Sequence, residues 1–316
     1  MKKEWLGYLA GIGSSVIMGL SWYATKRIGQ IHEVSVLDIL SVRYLISGFL
    51  FLLLWRIGRI HLDYRGKKLR PLLELSLLMP ILYNMMEYKA LDYISSAEIG
   101  MLCSLSTVVA SLLGYMILGE RISAAESLFM LMAVAGVIFV NAFDFIPGDD
   151  SNKGRLLMCG CVLCASVNRL KARRASLSFT STEITAVMIW SSAVVLTALN
   201  LINHLRLGNG GDFILFVSDR RVYGYLLFLS LGCSLLGFLL NNVAIANLPM
   251  ARSSVLGAIA TVVAVASGAV LLREPLAWHD FVGCGLIVAG VSGCNLAKYR
   301  EGEERSEDSS LPKKGG

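Results

Sequence analysis

Ten apolar segments, each close to the length of a membrane-spanning helix, follow one another along the chain with only short connections between them. A helix needs roughly 20 apolar residues to cross the hydrocarbon of a bilayer. Apolar residues make up 55% of the 316 residues and charged residues only 16%, too few to cover so apolar a core in water. Lipid is therefore the expected solvent. The predicted fold is an all-α membrane protein of ten transmembrane helices, near 5–25, 36–58, 72–91, 97–118, 124–143, 154–171, 183–203, 223–246, 253–272 and 278–297.

Lysine and arginine are unevenly distributed over the loops between these segments. If the N-terminus is cytoplasmic, 18 basic residues lie beside the inner ends of the segments and 9 beside the outer ends. Basic loops are retained in the cytoplasm, so we expect a multi-pass plasma-membrane protein with both termini inside. This bias accounts for most of the net charge of +6, and no nucleic-acid partner is expected. The largely polar residues after Tyr299 predict a disordered cytoplasmic tail over 299–316.

The second half of the chain repeats the first. With an offset of 154 residues, Ala90–Asn141 aligns with Ala244–Asn295 without a gap and with 15 identities in 52 positions. Glu120 matches Glu274, and the asparagines that end both ranges also match, which apolar bias alone rarely produces at one register. The two halves are therefore related.

Each half contains five segments, an odd number, so the second copy must enter the membrane with the opposite orientation. We predict two inverted five-helix repeats, at 1–147 and 148–298. Inverted repeats recur in transporters, where two similar bundles flank a midplane site and expose it to alternate sides. The alternative, from another functional class, is a non-transporting membrane scaffold or sensor built on the same bundle.

No catalytic signature accompanies these segments. The sequence contains no HExxH, GxSxG or P-loop motif and no paired intramembrane aspartates, which argues against a membrane protease, an esterase and an ATP-driven pump. Cys159, Cys161 and Cys164 cluster without a nearby histidine, so neither a metal nor a cofactor is expected. The chain is predicted not to be an enzyme, and gradients or exchange must supply its energy.

Six short motifs are distributed over nearly the whole chain. They are Gly19-Leu20-Ser21-Trp22, Arg43, Ala90-Leu91-x-Tyr93-x-Ser95, Leu118-Gly119-Glu120-Arg121-Ile122-Ser123, Ala135-Gly136-Val137 and Leu272-Arg273-Glu274-Pro275-Leu276. This set resembles the EamA-type transporters of the drug/metabolite transporter superfamily. The resemblance implies a ten-helix inverted-repeat fold, a central cavity lined by helices 1 to 4 and 6 to 9, and peripheral helices 5 and 10.

The chain departs from the family pattern in one clear respect. The family often has proline thirteen residues before the motif glutamate, where this chain has Thr107 and Thr261. Threonine bends a helix only mildly, so a sharp kink in helices 4 and 9 is not expected.

Gly283, Gly290 and Gly293 in the tenth segment permit close helix packing, and a homodimer through helices 5 and 10 is a candidate assembly.

Arg43 is a charged residue inside the second apolar segment, where an unpaired charge is costly. It must therefore face the bundle interior or water. Two roles stay open, a structural anchor bonded to carbonyls or a carboxylate, and a contact for the substrate. The resemblance adds weight to a structural or gating role, because the family favours arginine here across differing substrates.

Glu87 lies in the outer turns of the third segment. Positions 84, 87 and 88 share one helical face, so Asn84, Glu87 and Tyr88 can point together into a cavity, with Tyr83 beside them. Desolvation there would favour a neutral carboxyl, which makes Glu87 the candidate for proton coupling. The alternative is an outer-surface glutamate in ordinary solvent.

Further polar candidates come from the second half. Asn241 and Asn242 are the repeat equivalents of Glu87 and its neighbour, and they can bond a ligand or join helices. Asn168 and Arg169, near the inner end of the sixth segment, are open to the same two interpretations. We include Asn241 and Asn242 in the candidate substrate cavity.

Interface residues supply the remaining candidates. Trp22 is a candidate for stacking on the substrate, with an interfacial aromatic belt as the alternative. Glu98 and Arg252 are repeat equivalents of opposite charge and are the candidate gate residues. Glu120 and Glu274 follow helices 4 and 9, where a carboxylate near the start of the next helix suits its positive end, and both are predicted to be structural.

The sequence thus predicts a secondary transporter that works by alternating access. It would export or exchange a small metabolite, an amino acid or similar, with a proton as the candidate coupling ion. Membrane lipid and the small-molecule substrate are the other expected partners.

Overall fold

The structure, a computed structural model, describes residues 2–32, 34–118, 123–144, 149–207, 213, 216–248 and 250–293. These ranges contain helices and no strands, which confirms the all-α class. In chain order the helices are α1 (Lys2–Ile31), α2 (Val36–Arg56), α3 (Arg70–Ser76, Leu77–Leu82 and Tyr83–Ala90), α4 (Ser96–Leu118), α5 (Ala124–Asp144), α6 (Ser151–Ala175), α7 (Ser181–Leu207), α8 (Arg220–Leu227, Phe228–Gly237 and Phe238–Asn247), α9 (Met250–Ser267 and Gly268–Leu272) and α10 (278–293). Each predicted apolar segment overlaps one of these helices.

Three of the described helices are long and apolar enough to cross a bilayer by length and composition, namely α2, α7 and α8. Shorter apolar stretches lie in α4, α5 and α9. Large apolar side chains also face outward, as at Phe49 (69% exposed) and Leu156 (74% exposed). So apolar an exterior needs lipid around it, and the chain is a membrane protein.

Two carboxylates begin helices and also join neighbouring ones. Ser35 and Asp38 form a capping box at the start of α2, with the Ser35 N–H donating to Asp38 Oδ2 at 2.9 Å. His204 Nε2 of α7 lies 2.6 Å from the other oxygen of Asp38. Asp219 is the N-cap residue of α8, where its side chain accepts a hydrogen bond from the Arg221 N–H, and its Oδ2 lies 2.8 Å from His32 Nε2. The capping residues therefore tie α2 to α7 and the end of α1 to α8.

The third helix is interrupted at mid-height. Leu77–Leu82 is a π-helical turn, and Met79 within it has extended backbone (φ −146°, ψ 118°) beside Pro80. Proline lacks an N–H and cannot continue the α-helical hydrogen-bond ladder. In α8 the stretch Phe228–Gly237 is also π-helical, and the 154-residue offset carries the turn of α3 to 231–236, inside it. The two halves therefore depart from α-helix at equivalent positions.

Helices α4 and α9 pack against each other, and neither is interrupted at its threonine. Thr261 donates its Oγ1 hydrogen to the Gly100 carbonyl of α4 at 3.1 Å. This threonine thus bonds across to the neighbouring helix instead of back to its own. The side chain of Thr107 lies outside the described residues.

The remaining packing places each helix against a few partners. Helix α1 packs along α8 and α9, α6 along α3 and α4, and α2 and α3 against α7. Helices α5 and α10 meet through glycines, because Gly136 lies against Gly283 and Gly290 against Phe129 and Ala133. These glycines therefore allow two helices of the same chain to pack closely. The predicted homodimer through helices 5 and 10 stays a prediction.

We expect Gly290→Ala to lower the thermal stability of the protein. A Cβ there would lie 2.5 Å from the Ala133 backbone nitrogen and 2.7 Å from the Phe129 carbonyl oxygen, and overpacking of this kind costs about 1–3 kcal/mol. The midpoint of thermal unfolding in detergent measures the effect. Gly285→Ala is the matched control, since a Cβ there would meet nothing within 4 Å. Equal midpoints for the two variants would contradict this packing.

Candidate functional site

A cavity of about 180 Å³ lies inside the bundle, and its wall contains residues of α1, α2, α3, α4, α6, α8, α9 and α10. It reaches from Glu87, near the predicted outer end, to Asn241 and Ile245, near the predicted inner end. Its wall is polar for a space inside an apolar bundle. Among the predicted site residues, the wall includes Trp22, Arg43, Tyr83, Asn84, Glu87 and Asn241.

Glu87 is buried and lines the cavity, with 5% of its surface exposed. Trp22 Nε1 of α1 donates a hydrogen bond of 2.9 Å to Glu87 Oε1. Trp22 is itself buried, so it does not belong to an aromatic belt at the lipid interface. The structure therefore places Glu87 in the cavity and not on the outer surface. A carboxyl in this position can exchange a proton or bind a cationic group of a solute.

Arg43 also lines the cavity and is held on its other sides by three neighbours. Its Nε donates to Ser234 Oγ at 2.6 Å and its Nη1 to the Tyr88 hydroxyl at 2.5 Å. The guanidinium carbon lies 5.4 Å from the Tyr44 ring centroid and 5.9 Å from that of Tyr88, within the range of cation–π attraction. Arg43 is therefore anchored, although by hydroxyl groups and aromatic rings and not by the predicted carbonyls or carboxylate. Its contact with a substrate stays a prediction.

The neighbouring polar residues of α3 are likewise held in place. Asn84 Nδ2 donates to the Tyr44 hydroxyl at 2.6 Å, and the Tyr83 hydroxyl lies 3.1 Å from Cys103 Sγ. All four side chains belong to helices that surround the cavity. A site built from anchored groups on helices is preorganised for a ligand.

Two of the predicted cavity residues lie outside it. Tyr88 does not line the cavity but contacts Arg43 from the outer side. Asn242 donates its Nδ2 hydrogen to Thr185 Oγ1 at 2.8 Å and joins α8 to α7. Of the pair Asn241 and Asn242, the first lines the central cavity and the second joins helices.

A second cavity, of about 220 Å³, lies on the outer side of Tyr88. Thr25, Lys26 and Ile39 are among its wall residues. Arg43 lines the central cavity and Tyr88 lines this outer one, so their hydrogen bond lies in the layer between the two spaces. This pair is therefore a candidate barrier between the central cavity and the outer end of the bundle.

Charged pairs join the helices at that same end. Glu98 of α4 accepts a hydrogen bond of 2.7 Å from Arg155 Nε of α6. This pair links two helices that flank the cavity. The side chain of Arg252, the other predicted gate residue, lies outside the described residues, and the gate formed by Glu98 and Arg252 stays a prediction.

Glu274 joins three helices at the outer end. It accepts hydrogen bonds from Ser96 N at 3.1 Å and Ser96 Oγ at 2.9 Å, and it lies 2.9 Å from Lys26 Nζ. The predicted structural role is retained, but the helix whose start it binds is α4 and not the next helix α10. Burial would raise the pKa of Glu274, but the bonds from Lys26 and the Ser96 N–H hold it below its ordinary value. The pair therefore stays charged near neutral pH and weakens as the pH falls through this lowered pKa.

The predicted list of cavity residues was incomplete. Asn168 and Arg169 of α6 line the cavity, as does Met79 at the interruption of α3. Serines and a threonine complete the polar wall, namely Ser14, Ser15, Ser21, Ser104, Ser106 and Thr261. Pro80 was the available signal for the interruption, whereas lone serines in apolar segments carry no signal that separates a cavity wall from helix packing. Within the described ranges, no group of three or more histidine, cysteine and acidic side chains could hold a metal.

The sequence and its fold have relatives among known proteins. The profile of the EamA-like transporter family matches residues 5–142 and 152–296. The chain is 28% identical over 290 residues to the uncharacterized transporter YcxC of Bacillus subtilis (strain 168), covering 92% of each chain. It is 24% identical to the uncharacterized transporter YetK of the same organism, covering 92% of this chain and 87% of YetK.

An archaeal protein and a solved structure extend the comparison. An uncharacterized transporter of Archaeoglobus fulgidus is 24% identical, covering 86% of this chain and 92% of the relative. A crystal structure with 18% identity matches at a TM-score of 0.65, covering 92% of this chain and 98% of the other, which shows a shared fold. The family profile matches both halves of the chain and extends over nearly its whole length. The chain therefore belongs to the EamA-like transporter family, part of the drug/metabolite transporter superfamily.

Proposed function

We propose that the chain is a secondary transporter that exports or exchanges a small polar metabolite by alternating access. The observation that carries the proposal is the polar cavity, which borders a buried carboxylate and two guanidinium groups inside an apolar bundle. Membership of a transporter family supports the same activity. Catalysis forms no part of the proposal.

An amino acid or a similar zwitterion is the proposed substrate. Glu87 can accept from an ammonium group, and Arg43 and Arg169 can donate to a carboxylate. A purely apolar solute would form no hydrogen bond with these polar groups in place of those to the water it displaces, which is costly. The small volume of the cavity favours a solute of metabolite size.

The proposed architecture is ten membrane-crossing helices in two inverted repeats, 1–147 and 148–298. Two glycine contacts support the symmetry. A Cβ at Gly7 would lie 2.8 Å from the Leu248 side chain, and one at Gly154 would lie 3.0 Å from that of Ile94. Leu248 and Ile94 are 154 residues apart, so α1 packs on α8 as α6 packs on α3.

A pair of basic residues follows the same symmetry at opposite ends of the bundle. Lys26 Nζ at the end of α1 lies 3.5 Å from the Ile94 carbonyl oxygen. Arg173 Nη1 at the end of α6 donates to the Leu248 carbonyl oxygen at 3.3 Å. Two related halves of opposite orientation would place equivalent contacts at opposite ends in this way.

The described conformation corresponds to the inward-facing state of the proposed cycle. The layer of Arg43 and Tyr88 and the Lys26 and Glu274 pair close the outer end, and the cavity extends toward Ile245 near the inner end. Opening the outer end requires these contacts to break. The excess of basic residues beside the inner ends supports cytoplasmic termini and a plasma-membrane location.

Purified protein in liposomes tests the proposed function. Vesicles loaded with a mixture of unlabelled metabolites are offered single radiolabelled amino acids and related zwitterions, with and without a pH gradient. We expect saturable uptake of at least one compound, absent from protein-free vesicles. Size-exclusion chromatography checks that the protein is folded. If folded protein moves no compound of a broad panel under any gradient, the result would contradict transport and favour the scaffold or sensor alternative.

We expect Glu274→Gln to make the cavity more accessible from the outer end. The amide cannot form the ion pair with Lys26, and a bias of about 1 kcal/mol changes a conformational population roughly fivefold. A single cysteine at the cavity residue Ala165, in a chain whose other cysteines are replaced, reports the change in intact cells through an impermeant maleimide.

The matched control for this variant is Asp150→Asn. It breaks the exposed pair of Asp150 and Lys153, which is 2.7 Å long and lies at the same end. The control should label like the parent chain, because exposed pairs stabilise little. Equal labelling rates for Glu274→Gln and the control would count against the pair as part of the outer closure.

A further inference from the structure

We propose that Asn168 selects the transported solute, by accepting a hydrogen bond from an N–H group of the solute at mid-height in the cavity. The solutes preferred would then be those with an ammonium or amide group over analogues that lack it. This inference rests on the proposed transport function and adds a specificity-determining residue that neither the resemblance nor the repeat identifies.

The first observation is an unpartnered buried oxygen. Asn168 is 8% exposed, and its Oδ1 has no hydrogen-bond partner among the described residues. The other end of the amide is occupied, since Nδ2 lies 3.7 Å from Met79 Sδ. Buried side-chain oxygens are nearly always bonded in native proteins, so one that is not is a candidate for a partner that comes and goes.

The second observation is the location of this residue. Asn168 lines the central cavity, and its contact with Met79 places it beside the interrupted turn of α3. That turn lies near the middle of the third helix, and the transporters of known mechanism bind substrate near the midplane at such interrupted helices. The free oxygen is therefore located where a solute would be held, beside the interrupted turn of α3.

A second buried asparagine resembles Asn168 in its unpartnered oxygen but not in its access to the cavity. Asn200 of α7 is also buried, its Nδ2 donates to Ser41 Oγ at 3.0 Å, and its Oδ1 likewise has no partner in the described part of the chain. Asn200 does not line the cavity. The two asparagines differ in access to solute, so they form a matched pair for experiment.

The neighbouring groups specify which part of the solute Asn168 would bind. Arg169 and Arg43 line the same space and can donate only, whereas Asn168 Oδ1 can only accept. A carboxylate would therefore be directed to the arginines and a donor group to the asparagine. A carboxylic acid without an amino group would leave Oδ1 unpaired, which a site built for a donor penalises.

The test compares amino acids with the same acids lacking the amino group in the proteoliposome assay. The probes are alanine with propionate and leucine with 4-methylpentanoate, because each acid lacks every N–H donor. In Asn168→Leu we expect the half-saturating concentration of the transported amino acid to rise about 10- to 100-fold, the effect of removing a hydrogen bond to a charged group. Inhibition by its deaminated analogue should change less than about threefold, which is within the effect of altered packing.

Two further variants make the outcome decisive. Asn168→Asp retains an acceptor and should retain the preference for aminated solutes, while Asn200→Leu should lower thermal stability without changing the preference. If Asn168→Leu does not fold, Asn168→Ser replaces it with the same expectation, since the shorter side chain withdraws the acceptor.

Each outcome separates this inference from the transport proposal. Parent-like affinity and preference in Asn168→Leu would overturn the role of Asn168 while leaving transport intact. The same loss of preference in Asn200→Leu would also overturn it, because the effect would then be global. A parent protein that moves none of the probes or other solutes would overturn the transport proposal, and the inference with it.

Discussion

Arg43→Gln is expected to reduce solute flux by at least about 100-fold, the loss that corresponds to two hydrogen bonds from a charged donor. The guanidinium bonds Ser234 and Tyr88 while bordering the cavity. Glutamine can replace a neutral hydrogen bond but not the positive charge that a carboxylate solute would need. Initial uptake rates in proteoliposomes with equal protein content measure the loss.

The control for this variant lies on the same helix. Arg56 is at the end of α2 and is exposed, so Arg56→Gln removes the same charge without touching the cavity and should retain parent flux. Both variants must elute as folded protein, and Arg43→Lys replaces Arg43→Gln if the latter unfolds. Flux in a folded Arg43 variant equal to that of Arg56→Gln would exclude the guanidinium from the transport pathway, as expected of a scaffold.

The interruption of α3 shows where prediction from the sequence was limited. Apolar length and the 154-residue offset were sufficient to predict where the helices lie, because burying a helix in lipid requires a long apolar run. The same criteria treat Met79 and Pro80 as two more apolar residues. Proline is tolerated in membrane helices because neighbours can satisfy the freed backbone groups. Its presence therefore does not by itself predict an extended residue.

The candidate site was partly predictable for the same physical reason. Helical periodicity places positions 84 and 87 on one face, and both side chains line the cavity. Tyr88 was predicted to share that face and point into the same cavity, but it lines the outer cavity and bonds to Arg43. Periodicity assigns a residue to a face of its own helix, whereas the identity of the opposing helix decides whether that face borders a cavity.

The sequence did not predict which side chains bond to each other across the two halves. Glu274 bonds Ser96, which is 178 residues away in the chain, and Glu98 bonds Arg155 of the other half. The dipole argument correctly predicted that Glu274 would lie at a helix start. It could not choose between the starts of α4 and α10, because that choice depends on how the two halves pack.

The repeat also reveals a chemical asymmetry that bears on coupling. Glu87 and Asn241 are repeat equivalents and both line the cavity. Only the first of them can gain and lose a proton, because an amide does not titrate near neutral pH. If a proton is exchanged for solute, this pair therefore places the exchange on the α3 side of the cavity.

Glu87→Gln is accordingly expected to separate exchange from coupling. The amide oxygen can still accept the bond from Trp22 Nε1, so solute exchange at equal pH on both sides should continue at a rate close to that of the parent. Accumulation driven by a pH gradient should be lost. A gradient of one pH unit coupled to one proton corresponds to ~1.4 kcal/mol and a tenfold accumulation, which is the difference to be measured.

The assay compares counterflow at equal pH with net accumulation under a gradient imposed in either direction. Glu74→Gln is the control, since Glu74 lies on the same helix, pairs with Lys171 and does not line the cavity, and it should accumulate solute like the parent chain. Tenfold accumulation in Glu87→Gln would exclude Glu87 as the proton carrier and direct the search to exchange without protons. Loss of both exchange and accumulation, in a protein that is still folded, would instead assign Glu87 to binding the solute itself.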